Sequence, residues 1–253
     1  MNTNKILAFT LAEIFITPGV IGVVASITLP TFIKKYQYKQ WTEQLRKSYS
    51  TLDQGFKKML ADDEVYDLSD TEAFKSLGKN CFAFYDPEGT VCKNFLINMK
   101  SYFKIVDIKK IPNYKYTLLN DDKEYNNTNY NAIFLSDGTL ITDYIFYKSP
   151  DKRSNGEYGY YLGRIIIDIN GLKRPNKFGR DIFEFEMGPD GIYPRGAAIR
   201  NYRKGSWRDT SNSSAVCELG RGISGYGCAA RVLETGNMDY TIRVNPNNFY
   251  TGS

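Results

Sequence analysis

Residues 14–33 read IFITPGVIGVVASITLPTFI, twenty positions without a formal charge and most of them apolar. As a helix rising ~1.5 Å per residue the run is roughly 30 Å long, the hydrocarbon thickness of a bilayer. Lys5 precedes it, and Lys34 and Lys35 follow it. A cleaved secretory signal has an apolar core of about 7–15 residues and an A-x-A-like site behind it. This run is longer and has no such site after it, so a single membrane span over about residues 14–33 is expected. Glu13 stands at its mouth, although a carboxylate costs about 2.5–3.5 kcal/mol to insert at a helix centre and less near an end. Pro18 inside the run is expected to bend or locally melt the helix, because it removes a hydrogen bond.

The helical pattern continues outward from this stretch. Trp41, Leu45, Tyr49, Leu52, Phe56 and Met59 recur at spacings of three and four, with charged residues between them. That is one stripe of a helix, expected to pack on the chain's own globular part. Ser69-Asp70-Thr71-Glu72 reads as a capping box opening a short helix that ends near Leu77 and Gly78. From about residue 100 the signals are for strands. Ala132–Leu135 and Thr139–Ile141 flank Ser136-Asp137-Gly138, a hairpin with Asp-Gly in its turn. Tyr160–Ile169 is a second strand, closed by Asn170-Gly171, and Ile182–Glu186 alternates up to a turn at Asp190-Gly191. Asn126–Asn131 is expected to be a loop. The fold class is α+β: a long N-terminal helix, half of it membrane-spanning, packed on an antiparallel β-sheet domain.

The 253 residues, with 24% charged and 42% hydrophobic, exclude disorder throughout. There is no histidine, which excludes Ser-His-Asp and Cys-His nucleophile systems and imidazole zinc sites. The Gly-rich stretches 159–163 and 220–227 lack the lysine and the strand-to-helix context of a phosphate loop. No catalytic residue is assigned, and the chain is read as no enzyme. The net charge of +5 is concentrated: residues 195–231 hold seven basic residues (Arg195, Arg200, Arg203, Lys204, Arg208, Arg221, Arg231) against Asp209 and Glu218. This region is expected to face solvent or a neighbouring subunit. Tyr202, Trp207 and Tyr226 among the charges make an anionic polymer such as nucleic acid the lesser alternative.

The four cysteines, Cys81, Cys92, Cys217 and Cys228, form two pairs each eleven positions apart. A soluble part beyond a membrane anchor lies in an oxidising compartment, where disulfides persist. Of the three connectivities, Cys81–Cys92 with Cys217–Cys228 closes the shortest loops at the least entropic cost. No CxxC pair suggests zinc. Asp168, Asn170 and Asp181 carry oxygens of the type calcium takes, but Asp-x-Asn-Gly is also an ordinary turn in which side chains satisfy their own backbone, and that reading is favoured.

A short leader with Lys5, then Ala8-Phe9-Thr10-Leu11-Ala12-Glu13, then the apolar run with Pro30 near its end, resembles the cleavage and methylation signature of type IV pilins and type II secretion pseudopilins. The leader ends in Ala8, where that family usually has Gly. Residues 168–181 and 190–194 are more loosely similar to the sheet region of large pilin-like proteins. The resemblance implies a leader over residues 1–8, an N-terminal helix over 9–60 and a globular domain over 61–253. It implies cleavage between Ala8 and Phe9 by a prepilin peptidase, N-methylation of Phe9, and pairing of Glu13 with a mature N-terminal amine in a fibre. The implied function is that of a minor pilin or pseudopilin in a type IV pilus or type II secretion filament. Its implied partners are related pilin subunits, an inner-membrane assembly platform and the lipid bilayer. The implied location is the bacterial inner membrane, single-pass with the globular part periplasmic, and then an extracytoplasmic filament. Pseudopilins bind calcium in a loop, which is what the resemblance adds to Asp168, Asn170 and Asp181. The alternative from another class is a membrane-anchored periplasmic binding or adhesion protein that does not polymerise.

Overall fold

The computed structural model describes residues 11–83, 92–127, 131–151, 161–197, 216–220 and 225–241. Helix α1 spans Leu11–Asp62, and the chain divides into two compact units at Gln40 and Trp41.

In the first unit the large apolar side chains from Ile16 to Ile33 are exposed, among them Val20, Val24, Ile27 and Phe32. It is the one helix among the described residues that is long and apolar enough to cross a membrane. Both Pro18 and Pro30 lie inside it and the helix is unbroken, so the local melting expected at Pro18 does not occur. A proline forfeits one backbone bond, which the turns on either side tolerate in an otherwise continuous helix. The hydroxyls nearby bond their own helix: Ser26 donates to the Val23 carbonyl at 2.7 Å and Thr28 to that of Val24 at 2.9 Å. A helix that crosses a membrane needs its polar side chains satisfied in this way.

In the second unit the stripe of α1 does what its spacing predicts. Trp41, Leu45, Leu52, Phe56 and Met59 are buried, and Tyr49 stacks on Phe185 with ring centroids 5.5 Å apart. The helix ends at Asp62, two residues beyond the expected boundary. A 3-10 turn (Leu68–Asp70) and helix α2 (Glu72–Lys75) follow. The cap of α2 is Thr71, whose hydroxyl accepts from the Phe74 N–H, and not Ser69 as the capping-box reading had it. Ser69 is taken by the preceding turn: its N–H and hydroxyl both donate to Asp67. Strand β1 (Cys81–Phe82) and helix α3 (Lys93–Met99) precede the strand-rich half.

The remaining strands are β2 (Ile105–Lys110), β3 (Tyr114–Leu118), β4 (Asp121–Asn127), β5 (Asn131–Leu135), β6 (Leu140–Asp151), β7 (Tyr161–Asp168), β8 (Ile182–Gly188) and β9 (Gly191–Pro194). They form an antiparallel sheet in the order β2-β5-β6-β7-β8-β9, with β1 also on β6, and a separate β3–β4 hairpin. The expected β5–β6 hairpin is present, paired Ile133 to Ile141 and Phe134 to Leu140. Its turn places Gly138 at φ +90°, a conformation that side chains resist. Asn126 and Asn127 belong to β4 and Asn131 to β5, so the expected loop is shorter than 126–131. Cys81 is bonded to Cys92 and Cys217 to Cys228, the local pairing expected.

Period-2 alternation sorts the central strands into two faces. On one face lie the buried Ile165, Ile167, Phe183 and Phe185, where Phe185 stacks on Tyr49 of α1 and Ser48 of α1 shares a hydrogen bond of 2.7 Å with Thr139. On the other lie Arg164, Ile166 and Asp168 of β7 and Ile182, Glu184 and Glu186 of β8. That second face is not left to water. The β3–β4 hairpin and Phe178 cover part of it with a core of Tyr114, Leu118, Leu140, Ile166 and Ile182, flanked by Tyr116, Tyr125 and Tyr226.

Candidate functional site

Covering the second face buries its charges. Glu184 is 1% exposed and Asp143 is 7% exposed. Asp143 reaches this face because the β6–β7 register shifts between Ile141 and Asp143, which re-aims a side chain as bulges do. Arg164 answers both acids, 3.3 Å from Asp143 and 3.8 Å from Glu184. Arg195, just beyond β9, pairs with Glu184 and holds its guanidinium 4.8 Å above the Tyr226 ring. Burial raises the Asp143 carboxyl to about 6, opposed by Arg164 and reinforced by Glu184. Arg164 is penalised by burial too, but the charges of Glu184 and Asp143 outweigh that and hold it more firmly protonated. Tyr226 is raised chiefly by burial.

Beside this cluster is a cavity of about 220 Å³ lined by Tyr114, Tyr116, Asn126, Asp143, Arg164 and Tyr226, with Phe178 and Glu184 also in its wall. Three buried polar atoms in that wall have no hydrogen-bond partner: Asp143 Oδ1, Glu184 Oε2 and Arg164 Nε.

The calcium candidates are brought together at the end of β7. Asp168 Oδ2 accepts from the Tyr114 hydroxyl at 2.7 Å and Oδ1 from the Asn170 N–H at 3.1 Å. Asp181 accepts from the backbone N–H groups of Asn176 (2.9 Å) and Lys177 (2.6 Å) and from the Asn170 side-chain amide (3.2 Å). Every carboxylate oxygen is thus occupied by the chain, and Asn170 turns its NH₂ rather than its oxygen to Asp181. The carboxylates are held by the chain as in an ordinary turn, while Asn170 Oδ1 is buried without a hydrogen-bond partner. Burial is the first cause that lifts Asp168 to about 8, with the Asp181 charge second; burial also lifts Asp181 to about 6.

The chain matches no family model, no curated protein and no solved structure. Ala8 and Phe9 lie outside the described residues, and Glu13 is described only as a position in α1. Of the basic stretch, Arg200, Arg203, Lys204, Arg208 and Arg221, with Tyr202 and Trp207, also lie outside. Its two described arginines are engaged within the fold: Arg195 as above, and Arg231 with the Cys217 carbonyl (2.6 Å), Asp239 (3.1 Å) and the Tyr240 ring.

Asp143, Arg164 and Glu184 carry the cavity's charge, and sequence reasoning passed over them. The available signal was charge inside three apolar strands: Asp143 in Leu140–Phe146, Arg164 in Tyr161–Asp168, and Glu184 and Glu186 in Ile182–Met187.

Proposed function

We propose that the chain is a pilin-like subunit, a minor pilin or pseudopilin, which is cleaved after Ala8 and assembled through its N-terminal helix. One observation carries the reading: an acid, Glu13, four residues beyond Phe9 at the head of an exposed apolar helix. A mere anchor gains nothing from a carboxylate there, whereas a new ammonium on Phe9 gives it a partner as subunits pack and leave lipid. The second half of α1 supports the same plan, since it ties the apolar segment to a sheet domain large enough to be carried as a subunit. Disulfides in that domain suit an oxidising, extracytoplasmic location.

The test is Glu13→Ala. Removing a charge eases insertion, so membrane-bound protein is expected to be unchanged while incorporation into shear-released filaments falls sharply. Lys34→Ala at the membrane edge is expected to have the smaller effect. Equal incorporation of wild type and Glu13→Ala overturns the assembly role. It favours the second reading, an anchored extracytoplasmic binding protein, which the polar cavity on the sheet supports.

A further inference from the structure

We propose that Asn126 is a site of N-glycosylation, its side-chain amide taking an oligosaccharide from a polyprenyl-diphosphate carrier. The proposal rests on the extracytoplasmic placement of the sheet domain proposed above, which the filament subunit and the anchored binding protein share.

Three observations lead to it. The first is a motif: Asn126-Asn127-Thr128 is one of two Asn-x-Ser/Thr triplets in the chain, the other being Asn212-Ser213-Ser214. The spacing matters chemically. A carboxamide nitrogen is a poor nucleophile, and an Asx turn brings it within reach of the residue two positions on, whose hydroxyl can orient it. The second observation is placement. Asn126 is the penultimate residue of β4, and β4 pairs only with β3 among the described residues. Alternation and register put Asn126 beside Glu124 and opposite Lys115, and all three are exposed. The tyrosines of the same hairpin, Tyr116 and Tyr125, stack with centroids 5.6 Å apart and flank the buried core instead. A bulky, hydrated group on Asn126 is therefore compatible with the fold. It would cover the far side of β4, an edge open to pairing with another chain. The third observation is charge. Glu124 stands two residues before Asn126, whereas Thr210 holds the corresponding place before Asn212. The ion pair of Glu124 with Lys115, at 2.8 Å, is exposed on both sides and so weak, leaving the carboxylate available. A transferase whose acceptor groove is basic selects Asn126 over Asn212 on that ground.

In the transfer the Asn126 nitrogen bonds to the anomeric carbon of the first sugar and gives up one proton. The bond from that carbon to the carrier's phosphate oxygen breaks, and the polyprenyl diphosphate leaves with the electron pair; nothing is oxidised or reduced. The experiment purifies the full chain in detergent from two sources: membranes of its own host, and a bacterium supplied with an oligosaccharyltransferase and a lipid-linked oligosaccharide of known mass. Both samples are digested without reduction and mapped by mass spectrometry. The peptide holding Asn126 is expected to carry an oligosaccharide in both, and the peptide holding Asn212 none. In the supplied bacterium Asn126→Gln and Thr128→Ala should lose the modification, Thr128→Ser should keep it, and Glu124→Gln should lower its occupancy. The disulfides in the same digests report placement separately. Unmodified Asn126 with Cys81–Cys92 and Cys217–Cys228 formed overturns the proposal and leaves the extracytoplasmic reading standing; unmodified Asn126 with free cysteines overturns both. Modification in the supplied bacterium alone, modification of Asn212 as full as that of Asn126, or occupancy unchanged in Thr128→Ala or Glu124→Gln overturns the proposal equally.

Discussion

Asp168→Asn tests the loop that closes the second face, and its effect should depend on pH. Asp168 is fully buried, accepts from Tyr114, and faces Asp181 across the β7–β8 connection. Burial and that neighbouring carboxylate lift its folded-state value to about 8, from an ordinary value of 3.8. Because the folded value is the higher one, the native state holds the proton more tightly than the unfolded chain. The stability this contributes is complete below about pH 4 and is lost as pH rises towards 8. Asp181 and Asp143, each raised to about 6, lose theirs in the same direction over the lower part of that window. At ~1.4 kcal/mol per unit, a gap of about four units at Asp168 is worth on the order of 5 kcal/mol, and sharing with Asp181 brings that to several kcal/mol for the pair.

An asparagine there cannot ionise, and its amide still offers an oxygen to Tyr114 or to the Asn170 N–H. The variant is therefore expected to match the wild type near pH 4.5 and to exceed its stability by about 2–4 kcal/mol at pH 8.5. Urea unfolding of the detergent-solubilised chain across that range, followed by near-UV circular dichroism, measures the two slopes. Parallel slopes, or an advantage for the variant that shrinks as pH rises, would refute a protonated Asp168.

The same arrangement leads us to expect that calcium added at pH 7 does not shift the unfolding midpoint; a rise would show Asp168 and Asp181 open to a cation. Cys228→Ala removes a buried disulfide that closes a short loop, and should lower stability by about 2–3 kcal/mol in unfolding experiments under oxidising conditions. Gly163→Ala would set a Cβ 2.0 Å from the Ile145 carbonyl oxygen at φ +149°, beside Arg164. A loss of about 3 kcal/mol is expected, measurable as a drop in thermal midpoint. Gly55→Ala would drive a Cβ to 2.3 Å from the buried Phe103 ring, loosening α1 from the sheet domain by about 1–3 kcal/mol; increased proteolysis near residue 103 would report it.

How far the sequence carries such reasoning depends on whether the decisive contact is local. The stripe from Trp41 to Met59, the Asp137-Gly138 turn and both disulfide loops are local signals, and each produces the structure it implies. Helix α3 is not legible in the same way: it spans only Lys93–Met99 and Cys92 supplies no side-chain cap, so it relies on the disulfide to Cys81 and the burial of Phe95, Leu96 and Met99. The candidate site fails for a related reason. In Ile182–Glu186 the alternation says that Glu184 lies opposite Phe183 and Phe185, and for a sheet with one helix on it an acid in that place reads as solvated. What buries it is the β3–β4 hairpin together with Phe178 and Tyr226, segments distant in sequence. The hairpin's own charges, Lys115, Asp121, Asp122, Lys123 and Glu124, give no hint that its tyrosines face inward. Once that cover is in place, a surface acid becomes a buried one and must find a partner. Arg164 and Arg195 converge on it beside the cavity. A long apolar helix and a sheet can be carried by any anchored domain. The feature that distinguishes this one is a second face that is partly covered and charged, so substitutions there, more than in the helix stripe, separate a purely structural subunit from one that also holds a ligand.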